Sequence, residues 1–307
     1  MKNIILILTG GTIGSCESGG VISTDSSRCR ILDLYNQSYS DCRFTVYRPL
    51  DILSEELCPA CWEKLLNFIF SLDTKGFDGI IITHGSDTLS WTSAMLGACL
   101  KDHPIPVMIT AADLVPDDPR SNALDNFRKC TELIGIGEKA VRTVYRNPGD
   151  SEPTVFIPEG MTEADRFSDS FGKIQYTENS SKILPENFKC PDNIRFDRDV
   201  LILRPYPSLS YDNISIPENT GAVLHITCHS GSVSRRALSL LQRCTERGIP
   251  FYLCSLKRGC SSLYESAGIL IQNGALPLYD ITTESAYARL MLAVNLRATP
   301  LGDRLTA

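Results

Sequence analysis

Short, uninterrupted apolar runs alternate with longer amphipathic stretches along most of this chain. Ile4-Ile5-Leu6-Ile7-Leu8 and Ile80-Ile81-Ile82 carry no polar residue in alternate positions. That pattern marks strands covered on both faces, as in a parallel sheet. Strands are predicted over 3–9, 43–48, 78–83, 105–110, 140–145 and 154–157. Between them the apolar period lengthens: Trp62, Leu65, Leu66 and Ile69 share one face of a helix near 59–72. Helices are also predicted near 88–101 and 121–135. This alternation predicts an α/β fold, with a larger N-terminal domain built on a mainly parallel sheet flanked by helices. The stretch 176–198, with Asn179-Ser180-Ser181-Lys182, Pro185 and Pro191, is polar and aperiodic. The expected division is a first domain at 1–180, a linker at 181–198 and a smaller C-terminal α/β domain at 199–307. In that last block strands are predicted at 199–204, 221–226, 250–254 and 268–270, and helices near 233–247, 258–266 and 283–296.

Composition narrows the function. A chain of 307 residues exceeds what one core usually supports, and 43% apolar with 21% charged residues fits a folded globular protein. The net charge is -6 and Lys and Arg form no long run, so nucleic acid is not the expected partner. The apolar start is too short for a signal peptide, and no stretch approaches the roughly 20 apolar residues of a membrane span. The expected location is the cytoplasm, away from membranes. Twelve cysteines are scattered through the chain, and the closest pair is Cys58-Pro59-Ala60-Cys61 at the start of the helix near 59–72. Zinc sites need a second close pair or histidines, which this motif lacks. Redox or metal chemistry there stands against incidental thiols in a reducing compartment.

Two glycine turns carry the candidate chemistry. Thr9-Gly10-Gly11-Thr12-Ile13-Gly14 follows the first strand, and His84-Gly85-Ser86-Asp87-Thr88 follows the strand at 78–83. Both therefore fall at the carboxyl edge of the sheet, where open α/β folds bind ligands. Amide hydrolysis by a hydroxyl needs a nucleophile, a base and oxyanion donors. Thr12 on a tight turn offers the hydroxyl, and backbone N–H groups beside Gly10 and Gly11 offer the donors. Asp87 could accept a substrate ammonium group, and Ser54 with backbone donors could bind its carboxylate. Other readings stand beside this one. A strand, glycine loop and helix suit phosphate, but the third glycine of Gly-x-Gly-x-x-Gly is missing and polar Ser15 to Ser27 follow. Ser86, Asp87 and Thr88 could cap the helix that starts near Leu89, and Ser54 could cap the next one. His84 fits a packing or hydrogen-bonding role better than that of a base. His229, in Cys228-His229-Ser230-Gly231-Ser232, could neighbour the pocket.

These turns, in this order and spacing, together with Ser54-Glu55 before Trp62, resemble the bacterial-type L-asparaginase (asparaginase/glutaminase amidohydrolase) family. The similarity continues through Asp118-Pro119-Arg120-Ser121-Asn122, Asn126-Phe127, Lys257-Arg258-Gly259 and the closing segment Ala286 to Leu292. The resemblance implies Thr12 as nucleophile, with Ser86 and Asp87 supplying a second hydroxyl and a carboxylate. It implies Gly11, Ser54, Glu55 and Gly85 as substrate-binding residues, and a threonine acyl-enzyme that converts L-asparagine to L-aspartate and ammonia. No metal or organic cofactor is implied. A homodimer or homotetramer is, with a site between domains completed by a neighbouring protomer. Three departures from the family pattern are visible. Serine replaces threonine at Ser86; no lysine follows the strand Thr154-Val155-Phe156-Ile157 before Lys173; no tyrosine lies between Ile13 and Leu34. They leave open an amino-acid-binding protein without turnover, or an amidase acting on glutamine or D-asparagine. An amidase component acting on a charged transfer RNA is disfavoured by the lack of a basic run and of an extra N-terminal domain.

Overall fold

The first apolar run forms β1 (Lys2–Leu8), buried from Ile4 onward, in a computed structural model that describes residues 1–18, 21–24, 29–175, 183–185, 187–257 and 263–296. A hairpin of β2 (Ser15–Ser18) and β3 (Val21–Thr24) follows, then α1 (Arg30–Ser38) and β4 (Cys42–Tyr47). The chain continues through α2 (Pro59–Ser71), β5 (Gly79–Thr83), α3 (Leu89–Leu100), β6 (Val107–Thr110), α4 (Ala123–Ile136), β7 (Val141–Tyr145) and β8 (Thr154–Phe156). These strands make a six-stranded sheet in the order β4-β1-β5-β6-β7-β8. All neighbours are parallel except β7 and β8, which are antiparallel. From β1 the chain crosses to β4 on one side, and the next crossover lands β5 on the other. The order thus reverses between β1 and β5, the switch point beyond whose carboxyl ends such sheets hold ligands. Both glycine turns lie there.

The sheet is tightly packed at that point. Ile4, Leu6 and Leu8 pack with Ile81, Met108, Phe127, Cys130 and Ile134 in one core. In α3 every residue but Trp91 is buried, because small side chains let neighbours approach from several directions. A Cβ on Gly97 would lie 2.8 Å from the Pro158 Cβ, and Thr143 Oγ1 donates to Ser93 Oγ at 2.8 Å. An antiparallel pair, β9 (Met161–Ala164) and β10 (Phe171–Lys173), follows, and β9 packs on α3.

By internal contacts the chain divides into Met1–Lys173 with Lys189–Ile194, and Ile174–Phe188 with Arg195–Ala307. Ile194, inside the polar stretch after 180, is buried and bracketed by Asn67, whose Oδ1 accepts from its N–H at 2.7 Å and whose Nδ2 donates to its carbonyl at 2.9 Å. The second unit holds β11 (Asp199–Leu203), β12 (Thr220–Ile226), α5 (Ala237–Glu246), β13 (Phe251–Leu256), α6 (Glu265–Gln272), β14 (Leu276–Tyr279) and α7 (Thr283–Asn295). Its four strands are parallel in chain order. Two expectations are corrected here. Gly268-Ile269-Leu270 is not a strand but lies inside α6, whose Ala267 and Leu270, three apart, face the core; the last strand is β14. The helix expected at 258–266 begins at Glu265, and 258–262 lie outside the described residues. Three apolar residues are too short a run to separate period two from period 3.6. Helix α1 was not expected at all.

Inside the second unit, Tyr211 Oη and His225 Nε2 share a hydrogen bond of 2.8 Å, the rings stack at 15°, and the Phe251 ring lies 5.8 Å from that of His225. Burial holds the His225 imidazole down at about 4. Below the ordinary value of 6.5 the unfolded chain binds a proton that the folded chain refuses until about pH 4. Stability should therefore fall with pH through that window, by about 2 kcal/mol between pH 7 and 5 from this group. Urea unfolding at the two pH values measures it. His225→Gln keeps an acceptor for Tyr211 and should flatten the dependence; an unchanged slope would contradict the assignment.

Candidate active site

The two turns are joined through their backbones. Thr9, just beyond β1, donates to the Thr83 carbonyl from both its N–H at 3.3 Å and its Oγ1 at 2.9 Å. Its own carbonyl accepts from Ile52 N at 3.1 Å, and Gly10 pairs with Ile52 in an isolated parallel bridge. Gly10 and Gly11 have φ of +103° and +79°, which side-chain-bearing residues rarely adopt. Space forbids a side chain as well. A Cβ on Gly11 would meet the backbone of Gly85 and lie 2.8 Å from the His84 carbonyl carbon, while a Cβ on Gly85 would meet the Ser54 side chain. Gly11, Gly85 and Ser54 are therefore stacked in contact. Thr12 and Ser86, the residues following the two glycines, flank that contact. Thr12 opens a short 3₁₀ turn, Thr12–Gly14, and is half-buried, while Ile13 is fully buried and anchors the turn in the core.

Ser54 completes the arrangement. Its side chain is buried at 5% exposure, and its Oγ donates to Asp87 Oδ2 at 3.1 Å. Thr88 Oγ1 donates to the Ser54 carbonyl at 2.8 Å. The capping readings are thereby decided by geometry. Thr88 is the N-cap residue of α3 but makes no side-chain cap bond, and Cys58, not Ser54, is the N-cap residue of α2. The hydroxyls and carboxylate that could have closed helix ends bond across segments instead. Asp87 is exposed and Ser86 half-buried, so both remain open to a ligand. Glu55 is exposed and takes no part in these bonds.

His84 is fixed from beneath. Its Nδ1 lies 2.9 Å from the Gly85 carbonyl, which can only accept, so Nδ1 carries the proton. Nε2 must then accept from Thr92 Oγ1 at 3.0 Å, and Thr92 in turn accepts from Trp62 Nε1 at 3.0 Å. Burial lowers the His84 pKa, consistent with this neutral tautomer. His84 is a strut under the turn rather than a base. Sequence reasoning missed Thr92 and Trp62 as its partners, since nothing in the spacing of α2 and α3 announces that they meet. Thr92→Val removes one partner from each of two buried ring nitrogens and should destabilise the chain by roughly 2–6 kcal/mol, at about 1–3 for each group affected. The shift of the urea midpoint measures this; a neutral substitution would show the relay to be dispensable.

Other residues singled out by sequence are placed as follows. Asn122 and Asp113 exchange bonds, Asn122 N donating to Asp113 Oδ1 and Asp113 N to Asn122 Oδ1, each at 3.0 Å. Asn122 Nδ2 and Asn126 Nδ2 hold the Arg146 and Ala111 carbonyls at 2.9 and 3.0 Å. They tie the ends of β6 and β7 together. Asp118 pairs with Arg120 at the surface. Beyond β8, Lys173 is exposed on β10. Glu163 accepts from Trp91 Nε1 at 3.1 Å, and Asp165 closes the β9–β10 turn by accepting from Phe167 N at 3.1 Å and Ser168 N at 3.0 Å. His229 and Lys257 are exposed in the second unit; Arg258 and Gly259 lie outside the described residues. Among the described residues no group of three His, Cys, Asp or Glu side chains could hold a metal ion, and no helix is long and apolar enough to cross a membrane.

Residues 3–145 match the protein family described as Asparaginase, N-terminal. A component of the glutamyl-tRNA(Gln) amidotransferase of Methanosphaera stadtmanae is 24% identical over 323 aligned positions, covering 96% of this chain and 72% of that protein. Among solved structures, the thermostable L-asparaginase from Thermococcus kodakarensis superposes with a TM-score of 0.76 at 21% identity, over 99% of this chain and 95% of its own. L-asparaginase I from Vibrio cholerae does so with a TM-score of 0.70 at 20% identity, over 99% and 95%. These likenesses establish a shared fold along the whole chain.

Proposed function

We propose that this chain, whose residues 3–145 match the asparaginase N-terminal family, is an asparaginase-type amidohydrolase that cleaves the side-chain amide of L-asparagine through an ester formed on Thr12. The observation that carries the reading is the Gly11–Gly85–Ser54 stack, which sets the Thr12 turn against the Ser86-Asp87 turn with Ser54 bonded to Asp87. A zwitterionic amino acid is gripped at both ends there. Asp87 takes the ammonium group; Ser54, with Glu55 beside it in sequence and the N–H groups near Gly85, takes up the carboxylate end. The amide is then directed at Thr12, and holding it so removes much of the entropic part of the barrier. Thr12 Oγ adds to the amide carbonyl, and N–H groups next to Gly10 and Gly11 stabilise the oxyanion. The C–N bond breaks, ammonia leaves with the hydroxyl proton, and water cleaves the ester to release aspartate and restore Thr12. Ser86 supplies the second hydroxyl beside the reacting centre. Assembly as a homodimer or homotetramer accompanies this reading.

The similarity to an amidotransferase component supports a second reading, in which the amide hydrolysed serves amidation of a glutamyl-tRNA. Ammonia release from L-asparagine, L-glutamine and D-asparagine, measured side by side, separates the two. The first reading expects L-asparagine to be the best of the three. Preference for glutamine would move the chain to the second reading. Binding of one amino acid without any ammonia would overturn both.

A further inference from the structure

The Cys58-Pro59-Ala60-Cys61 motif takes no part in the site described above, yet its two thiols are in contact. Cys58 Sγ and Cys61 Sγ lie 3.5 Å apart, Cys58 exposed and Cys61 half-buried. Among the described residues, five other thiols lie in different surroundings. Cys42, Cys99, Cys130, Cys244 and Cys254 are buried, and burial pushes each of them up, Cys244 to about 11 and Cys254 to about 12. Such thiols are inert. Cys58 is the N-cap residue of the 13-residue α2, with proline next and no side-chain cap bond, so its thiol is not committed to closing the helix end. Cys61 N donates to the Cys58 carbonyl at 2.9 Å, which fixes the one-turn separation that keeps the sulfurs together. A metal is a poor occupant, because no third His, Cys, Asp or Glu among the described residues joins the pair.

We propose that Cys58 and Cys61 form a redox-active dithiol that exchanges with small-molecule disulfides of the glutathione class. The Cys58 thiolate attacks one sulfur of the incoming disulfide, whose S–S bond breaks and whose other half leaves as a thiol, taking a proton. The Cys61 thiolate then attacks the Cys58 sulfur of the mixed disulfide and expels the second small thiol, again protonated. Two protein thiols are oxidised to one disulfide, and one small disulfide is reduced to two thiols. The order of attack follows exposure: Cys58 is reachable, whereas partial burial and the Cys58 sulfur raise the Cys61 thiol. This proposal does not depend on the amidohydrolase reading.

The test uses the full chain poised in mixtures of reduced and oxidised glutathione, quenched with acid, digested with trypsin and analysed by mass. The peptide spanning 44–64 contains Cys58 and Cys61 and no other cysteine. The expected result is a reversible loss of two hydrogen atoms from that peptide as the mixture becomes oxidising, restored by excess dithiothreitol. Cys61→Ser should accumulate a glutathione adduct on Cys58, because the second step is blocked. Cys58→Ser should leave Cys61 at least tenfold less modified. Persistent double adducts, no internal disulfide at any ratio, or equal modification of the two serine variants would overturn the proposal.

Discussion

Thr12→Ala should lower the rate of amide hydrolysis by roughly ten-thousandfold or more, the scale on which loss of a nucleophile acts in hydrolases. The substitution removes one hydroxyl and one methyl from a half-buried residue. Ile13 continues to anchor the turn in the core, and the glycine stack beside it is untouched. Stability should then stay within about 0.5 kcal/mol of the parent. Affinity for the amino acid should also persist, since in the proposed reading Ser54 and Asp87, not Thr12, hold its two ends. The prediction therefore separates chemistry from binding. Calorimetric titration should give a similar dissociation constant for the two proteins, while steady-state ammonia release collapses in the variant. Retention of a tenth of the activity would remove Thr12 from the central role.

Gly11→Ala should act in the opposite way, through the fold. A methyl there runs into the Gly85 backbone, which cannot swing aside as a flexible side chain would, and φ is +79°. Backbone strain of about 1 kcal/mol or more adds to about 1–3 for overpacking, so a loss of roughly 2–4 kcal/mol is expected. Activity should fall with it, because relief of the clash must separate the two turns that present Thr12 and Ser86. Gly14→Ala is the internal control. In the same turn, a Cβ on Gly14 meets nothing within 4 Å and its φ is not positive. Thermal unfolding of both variants should show a large drop for Gly11→Ala and almost none for Gly14→Ala. Similar drops would mean that the turn tolerates neither residue for reasons other than the stack.

The parts of this site that were readable in the sequence are those with local signatures. Ile4 to Leu8 and Ile80 to Ile82 announce buried strands, and a glycine turn directly after each places Thr12 and Ser86 at one sheet edge. The contacts that join them are not local. Ser54 meets Asp87 across 33 positions, and Trp62 reaches His84 through Thr92 only because α2 and α3 pack side by side. Serine and aspartate before a helix look like caps on any sequence, and only the bond from Ser54 to Asp87 shows a different use. The same limit explains the second unit, where Gly268-Ile269-Leu270 suits a strand or a helix equally until Ala267 and Leu270 are seen facing the core. The absence of a lysine after β8, by contrast, was plain from sequence, and Lys173 is exposed on β10.

A threonine ester can be intercepted. Hydroxylamine competes with water for an acyl-enzyme, so L-asparagine turned over in its presence should give the hydroxamate of aspartate at the expense of aspartate. The Thr12→Ala protein should give neither product. Wild-type protein that binds L-asparagine but forms no hydroxamate and releases no ammonia would contradict the account.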